Sequence, residues 1–198
     1  KYTVEYGAPG VGRIRYVDTN GDGKINVNDR TWLGSDNPKL IGGLNISCNY
    51  KGFDLSLFFN GMIRDAYNNS KYYTDLFQCW TGNHSTRLLG ALNAYKNFES
   101  TGVYNSDTPA LTTLNSNNED AVSQFYIENG SYIKLKTLTL GYTLPDALMK
   151  KLKLRSARVY VQGQNIFTIT KYTGADPEGL GYPYPLPKTY SVGVSFGF

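Results

Sequence analysis

The sequence predicts an all-β fold in which about five antiparallel strands form part of a large transmembrane β-barrel with long extracellular loops. Three observations support this fold. The 198 residues include 21 Gly and 17 Tyr but only 18% charged residues, a composition that favours strands and turns. Residues 189–198 alternate strictly between apolar and small or polar side chains. Ten residues are also close to the ~9–11 that cross a bilayer as a tilted strand.

The first two strands are predicted at Leu40–Tyr50 and Phe53–Phe59, where apolar side chains alternate with polar ones. Only Lys51 and Gly52 separate them, so a tight hairpin turn is expected there.

The next two strands are predicted at Tyr132–Tyr142 and Ala157–Ile169. In the first of them, the apolar side chains of the second half stand at even-numbered positions, and Lys134 and Lys136 also fall at even-numbered positions. We call these positions the apolar parity of the strand. Either a bulge switches the faces at this point, or the strand has reached the headgroup zone, where lysine side chains can extend to water. In the second, Gly163 and Asn165 interrupt the outward face and suggest either another bulge or a spot shielded from lipid.

The last strand, 189–198, has the clearest pattern. We expect one set of side chains to face lipid, namely Tyr190, Val192, Val194, Phe196 and Phe198. The opposite set, which faces the lumen, includes Ser191, Gly193 and Ser195. This strand is expected to pair with Ala157–Ile169 and with the first strand of the barrel, which would lie before Lys1.

The connections alternate in length, as in bacterial outer-membrane barrels. Residues 51–52 and 144–156 form short connections, predicted to be periplasmic. Residues 60–131 and 171–188 form long ones, predicted to be extracellular. Bacterial barrels begin at about eight strands. We therefore expect this chain to be a piece of a longer protein.

Composition argues against several other functions. The net charge of +4 is spread along the chain without a basic run, which gives no support for nucleic-acid binding. The single histidine, His84, lies in a polar stretch, and no nucleophile elbow or phosphate-binding glycine pattern is present. We therefore expect no enzymatic activity.

Several runs of residues resemble the C-terminal region of the SusC/RagA family of TonB-dependent outer-membrane transporters. These runs are Ile14–Arg30, Asn37–Leu44, Phe53–Phe59, Gly130–Pro145, Gly163–Gly174, Asp176-Pro-Glu178 and the closing strand. The resemblance covers roughly residues 12 to 198. It is weak only in the long loop, where Trp80-Thr-Gly-Asn83 is the one familiar-looking stretch.

The resemblance implies a bacterial outer-membrane barrel of about 22 strands with an N-terminal plug. It also implies import of oligosaccharides or peptides, driven through TonB and assisted by a SusD-like surface lipoprotein. Residues 1–39 would form an extracellular loop segment, and residues 40–198 the C-terminal part of the barrel. Two alternatives stay open: a siderophore or cobalamin receptor of the same architecture, and a soluble, calcium-stabilised adhesion module whose strands form a sandwich core.

The most chemically specific motif is an EF-hand-like loop between residues 18 and 29. Oxygen ligands fall at loop positions 1, 3, 5, 9 and 12, with a backbone carbonyl at position 7 and Gly23 at the sharp turn. The corresponding ligands are Asp18, Asn20, Asp22, Asn26, Asp29 and the carbonyl of Lys24. The spacing predicts a structural calcium site. A hydrated turn rich in Asn, Asp and Gly is the alternative.

Aromatic residues in the long loops are candidates for contact with cargo or with the lipoprotein, because they suit stacking on sugars and packing against a lid. They are Trp80, Tyr182 and Tyr184, together with Tyr72, Tyr73 and Phe77. Cys48 and Cys79 are predicted to stay unpaired. The barrel would separate them by about 25 Å, far more than the ~7 Å that a disulfide spans.

Overall fold

The computed structural model describes residues 3–71, 86, 88–106, 108–110, 112, 116–180 and 184–197. Its strands are β1 (Thr3–Val4), β2 (Lys24–Ile25), β3 (Leu40–Tyr50), β4 (Phe53–Ile63), β5 (Asp65–Tyr67), β6 (Ile127–Asn129), β7 (Tyr132–Thr143), β8 (Ser156–Thr170) and β9 (Thr189–Gly197). Its helices are α1 (Leu88–Thr101), α2 (Asp146–Leu152) and two short 3-10 turns, Val27–Asp29 and Gln124–Tyr126. Among the described residues, no helix combines the length and apolar character needed to cross a membrane.

Five long strands form one antiparallel sheet in the order β3-β4-β7-β8-β9. All five predicted strands are therefore present, and β4 continues to Ile63, past the predicted end at Phe59. The prediction of an all-β chain needs correction, because α1 lies within the predicted long loop and α2 within a connection. In the described part of the chain the sheet is open, with β3 and β9 at its two ends.

The hairpin between β3 and β4 has the predicted two-residue turn. Lys51 and Gly52 both have positive φ angles, 47° and 87°, as the favoured hairpin turn requires. A Cβ atom on Gly52 would lie 2.9 Å from the carbonyl oxygen of Thr143, so close packing as well as backbone conformation requires glycine at this position.

A bulge in β7 and β8 explains the lysines on the apolar parity. Lys136 has no register partner in either neighbouring strand, because the pairing passes directly from Leu135 to Thr137. On the β8 side, Asn165 and Ile166 lie opposite it, and Asn165 has a φ of 52°. This confirms both predicted bulges and excludes the headgroup explanation for the parity of the lysines.

The strand register gives the sheet two chemically distinct faces. Paired residues of antiparallel strands share a face, so the partners of the Tyr190–Phe196 series extend one apolar face across all five strands. The apolar face includes Leu44, Ile46, Leu55, Leu57, Leu138, Leu140, Val159, Val161, Tyr190, Val192, Val194 and Phe196. The opposite, polar face includes Asn45, Ser47, Asn49, Asp54, Ser56, Lys134, Thr137, Thr139, Arg158, Tyr160, Gln162, Ser191 and Ser195, with Ile41, Phe58 and Met62 as exceptions.

Short and long connections lie at opposite ends of this sheet, as predicted. The end with the Lys51-Gly52 turn also holds the β7–β8 connection, where the Arg155 amide donates to the Gly197 carbonyl at 2.9 Å. That connection is not a simple turn. It contains the two-turn helix α2, which follows Pro145 and ends at Lys153 in a left-handed conformation with φ 55°.

The chain divides into two compact units, residues 1–34 with 67–127, and residues 35–66 with 128–198. In the first unit, Glu119 is almost fully buried and accepts hydrogen bonds from the Arg13 guanidinium at 2.8 Å and the Ile14 amide at 3.0 Å. This buried pair joins segments that are distant in the sequence. The assignment of residues 1–39 to an extracellular segment and of 40–198 to a barrel stays a prediction.

Candidate functional site

Large side chains on the polar face lie flat over glycines of the neighbouring strand. Gly193 in β9 is paired with Tyr160 in β8, and a Cβ atom on Gly193 would lie 2.3 Å from the Tyr160 ring. Gly43 in β3 lies under the ring of Phe58 in the same way, with its Cβ position 3.2 Å from that ring. The glycines allow bulky side chains to lie along the sheet instead of projecting from it.

An ion pair crosses three strands at the short-connection end of this face. The Arg158 guanidinium in β8 donates two hydrogen bonds to the Asp54 carboxylate in β4, one of them at 2.9 Å. Both side chains pass over Gly141 in the intervening strand β7, where a Cβ atom would lie 2.4 Å from each of them. Arg158 also lies over the Tyr160 ring, 5.0 Å from its centroid. The bidentate geometry fixes both side chains against the sheet.

A larger cluster of charges lies at the long-connection end. The Lys134 ammonium donates to both carboxylate oxygens of Asp176, at 3.0 and 3.2 Å, and to Glu178 at 3.0 Å. Lys136, the bulge residue, donates to the same Glu178 at 2.5 and 2.7 Å. The side chains of Lys134 and Asp176 are only 3% and 9% exposed, so this is a buried ion pair inside a network.

These contacts bind the segment Tyr172–Glu178, which we call the strap, against the polar face. The Arg64 guanidinium donates to the carbonyls of Pro177 and Glu178, the latter at 3.2 Å. The Glu128 carboxylate accepts from the Thr173 amide at 2.9 Å and from its hydroxyl. Four side chains outside the strap thus hold it in place, which makes it part of the sheet surface and not a free loop.

The strap carboxylates are held in their ionised form. Burial alone would raise the pKa of Asp176, but hydrogen bonds from the Glu178 amide and the Lys134 ammonium outweigh burial and lower the pKa below its usual range. Burial also acts to raise the pKa of Glu178, but hydrogen bonds from Lys136 and Lys134 outweigh it and lower the pKa. Both groups therefore bind protons less readily in the folded state than in the unfolded one.

Acid is expected to release the strap. Because the pKa values of Asp176 and Glu178 are lowered on folding, their stabilising effect is present above the ordinary values of 3.8 and 4.5. It is lost as the pH falls below those values. Hydrogen-exchange protection of residues 172–178 should fall through this range, while that of central β7 residues such as Thr139 stays constant. Equal loss in both segments would contradict the prediction.

Sequence reasoning missed these partners, although a signal was present. Two lysines spaced Lys-x-Lys stand on the apolar parity of β7, and a carboxylate pair with the same spacing, Asp176-x-Glu178, follows in the next long connection. Charged side chains at strand positions of wrong parity require counter-charges, because buried charges are almost always paired. Asp54 and Arg158 gave no comparable sequence signal.

The EF-hand-like loop has an ordered geometry built on its own carboxylates. Asp18 accepts hydrogen bonds from the amides of Gly21 and Gly23 at 2.6 and 2.9 Å. Asp29 accepts from the Thr19 and Asn26 amides, both at 2.8 Å. The amides of Asn26 and then Thr19 lower the pKa of Asp29, so this carboxylate is ionised near neutral pH.

The donor set fits calcium in part. Each carboxylate oxygen that accepts one amide retains a second lone pair, and Asn20, Asn26 and the Lys24 carbonyl supply neutral oxygens of the kind calcium binds. Asp18 and Asp29 each accept an amide on both oxygens, so each has only its second lone pairs for an ion. Within the described residues, no group of three or more His, Cys, Asp or Glu side chains is arranged to hold a metal. The calcium site stays a prediction.

Other predicted contact residues are only partly covered by the structure. Tyr184 is 90% exposed. Side chains hold the backbone of the two residues that follow shortly after it, since Asp176 accepts from the Leu186 amide at 3.4 Å and Asn165 donates to the Pro187 carbonyl at 3.2 Å. Cys48 is an exposed free thiol. The remaining residues of these predictions lie outside the described part of the chain: Tyr72, Tyr73, Phe77, Cys79, Trp80, Tyr182 and Phe198.

Comparison with known proteins gives a consistent result. No family model matches the sequence. TonB-dependent receptor P3 of Formosa agariphila is 32% identical over 199 residues, which cover 92% of this chain and 19% of the relative. TonB-dependent receptor SusC of Bacteroides thetaiotaomicron is 32% identical over 188 residues, which cover 92% of this chain and 17% of that protein.

Solved structures agree with the sequence relatives. The RagAB peptide importer in its closed-closed state superimposes with a TM-score of 0.71 at 28% identity, covering 92% of this chain and 20% of that one. Its open-open state gives a TM-score of 0.63 at 27% identity, covering 98% and 21%. The chain thus spans about one fifth of the length of the proteins it matches.

These matches make the chain a homologue of one part of the TonB-dependent receptors, which are transport proteins and not enzymes. Within that class it is a homologue of the SusC/RagA family. This confirms the family resemblance and the expectation that the protein is not an enzyme.

Proposed function

We propose that this chain forms five adjacent strands in the wall of an outer-membrane barrel, with its apolar face toward lipid and its polar face toward an aqueous lumen. The observation that carries the proposal is an apolar face that runs across all five strands and is exposed. Val192 is 72% exposed, Leu44 56% and Phe196 57%. Soluble monomers rarely expose contiguous apolar patches beyond a few hundred Å². Such a patch marks contact with a membrane or with another protein, and its extent across five strands supports contact with lipid.

The same observation favours the membrane barrel over the soluble adhesion module. A sandwich buries the apolar faces of its sheets against each other, about 10 Å apart. In this sheet the apolar positions of both end strands, such as Leu44 in β3 and Val192 in β9, remain exposed. The edges of β3 and β9 need further strands of the same barrel, because an unpaired edge is not tolerated in hydrocarbon.

The proposed activity is TonB-driven import of a peptide or oligosaccharide together with a surface lipoprotein of the SusD/RagB type. The resemblance to the RagAB peptide importer and to SusC supports it. The same resemblance favours this activity over siderophore or cobalamin uptake. The mechanism is gated passage along the polar face, without covalent chemistry.

Uptake in cells tests this function directly. A strain that lacks the receptor would be compared with one that expresses it, using labelled peptide and oligosaccharide mixtures. We expect receptor-dependent accumulation of one mixture, which a protonophore or loss of TonB abolishes. Affinity purification of the receptor should also recover a surface lipoprotein. Accumulation that is unaffected by both treatments would refute the proposed function.

We further propose that the loop of residues 18–29 binds calcium and braces an extracellular segment. Bound calcium should slow tryptic cleavage at Lys24 and Arg30 relative to cleavage in a chelator, because ion binding stabilises only the folded loop. The variant Asp22→Asn should lose this protection. In the wild type the Lys24 amide donates to the Asp22 carboxylate at 2.8 Å, and the Asn side-chain oxygen can still accept that hydrogen bond. Asp36→Asn, an exposed change outside the loop, is the matched control. Identical cleavage of the wild type with and without calcium would count against the site.

A further inference from the structure

The strap has two sides of different chemistry. Its inner side is bound to the sheet, with Asp176 and Tyr172 buried at 7% and 6% exposure. The Tyr172 ring folds back over Gly174, where a Cβ atom would lie 2.4 Å from the ring. The exposed residues of the strap are both small: Thr173, whose hydroxyl donates to Glu128, and Ala175. The outer side is therefore a narrow edge with no large side chain.

The inner side is bound at several points, which favours a fixed segment over a lid that opens during transport. Lifting the strap would separate the Lys134 ammonium from both Asp176 and Glu178, each of which it contacts at 3.0 Å. It would also break the contacts of Lys136, Arg64 and Glu128 with the strap. These contacts come from β7, β6 and the end of β4, so no single hinge releases them together.

The strap covers buried residues of the polar face. Tyr132 and Lys134, both on that face, are 4% and 2% exposed beneath it. The strap therefore occupies space in front of the long-connection end of β7.

We propose that the strap is a fixed constriction of the transport passage, and that Ala175 on its exposed edge determines how bulky the cargo can be. The inference rests on the proposed function, in which the polar face lines the passage. The small residue at this edge leaves room beside an extended cargo chain, and a larger residue there would exclude branches before it excludes the linear chain. The strap acts through the space that it occupies, because its carboxylates, Asp176 and Glu178, are already paired with Lys134 and Lys136.

The test uses Ala175→Trp in the complete receptor, with Ala175→Ser as the matched control. Two probe pairs are supplied: linear and lysine-branched peptides of equal composition, and linear and branched oligosaccharides of equal mass. The pair that the wild type imports in a TonB-dependent manner is scored. We expect Ala175→Trp to lower uptake of the bulkier probe about tenfold more than that of the linear one, or about 1.4 kcal/mol. Ala175→Ser should match the wild type.

Each outcome of this experiment decides a separate point. If neither pair enters in a TonB-dependent manner, the proposed function fails and the inference with it. If the wild type imports one pair but Ala175→Trp lowers both members equally, or neither, only the inference fails. Hydrogen exchange of residues 172–178 gives a second measurement. Protection should be the same with and without cargo, and faster exchange on cargo binding would show a moving lid and overturn the fixed constriction.

Discussion

Replacing Lys134 with Met is expected to destabilise the strap and the end of β7 by about 3–5 kcal/mol, the usual cost of removing one partner of a buried ion pair. Met keeps most of the side-chain volume but leaves Asp176, on the inner side of the strap, buried without its ammonium partner. The Glu178 carboxylate loses one of its two lysines as well. The strap should become sensitive to proteases near Lys171 while the sheet stays folded.

Lys39→Met is the matched control for this prediction. Lys39 also pairs with a carboxylate, Asp65, at 2.9 Å, but the two side chains are 65% and 43% exposed. An exposed pair of this kind contributes only about 0–1 kcal/mol. Urea unfolding of the receptor in detergent, with proteolysis of the strap as a local probe, would compare the two. Similar effects for both variants would mean that burial of the Lys134 network is not what holds the strap.

The second large effect is expected on the apolar face. Val194→Arg should cost about 2–4 kcal/mol if this residue faces the middle of the bilayer, whereas Ser195→Arg on the polar face should cost much less. The two residues are adjacent in β9 and point to opposite faces. They pair with Val159 and Arg158 of β8 respectively. The two variants therefore carry the same new side chain at adjacent positions and differ in the face of the sheet that receives it.

The amount of receptor in isolated outer membranes is the measurement for this pair. We expect a clear loss for Val194→Arg and nearly normal amounts for Ser195→Arg. Equal amounts would show that β9 does not face lipid. Loss for Ser195→Arg alone would reverse the assignment of the two faces.

The strand positions could be predicted from sequence because each strand keeps its alternation for many residues. The turn at Lys51-Gly52 was predictable for the same reason, since two clear strands leave only two residues between them. The bulge in β7 was only one of two explanations for the lysines, the other being a position in the headgroup zone. A lysine on the wrong parity signals an interruption, but the residue that is left unpaired depends on both neighbouring strands. The helices α1 and α2 were not predicted because they lie in connections for which only the length, and not the residue pattern, was considered.

The candidate site was much less predictable. Its central contacts join Lys134 to Asp176 and Arg158 to Asp54, which are separated by 42 and 104 positions in the sequence. Such contacts follow from the strand order and from the folding of a long connection back onto the sheet, and neither is encoded in a local pattern. The EF-hand-like loop is the opposite case. Its motif is local and easily recognised, but the motif alone does not show that an ion is bound.

The glycines beneath Tyr160, Phe58 and Arg158 bear on how such a wall diverges during evolution. The apolar face is proposed to contact lipid, where any sufficiently hydrophobic side chain is accommodated, so Leu, Val, Ile and Phe are expected to be interchangeable at many positions. On the polar face, Gly193 and Gly141 must stay small as long as Tyr160 and the Asp54–Arg158 pair lie over them. A change on this face therefore requires a compensating change in the adjacent strand. Paired substitutions across neighbouring strands are where relatives with different cargo are expected to differ.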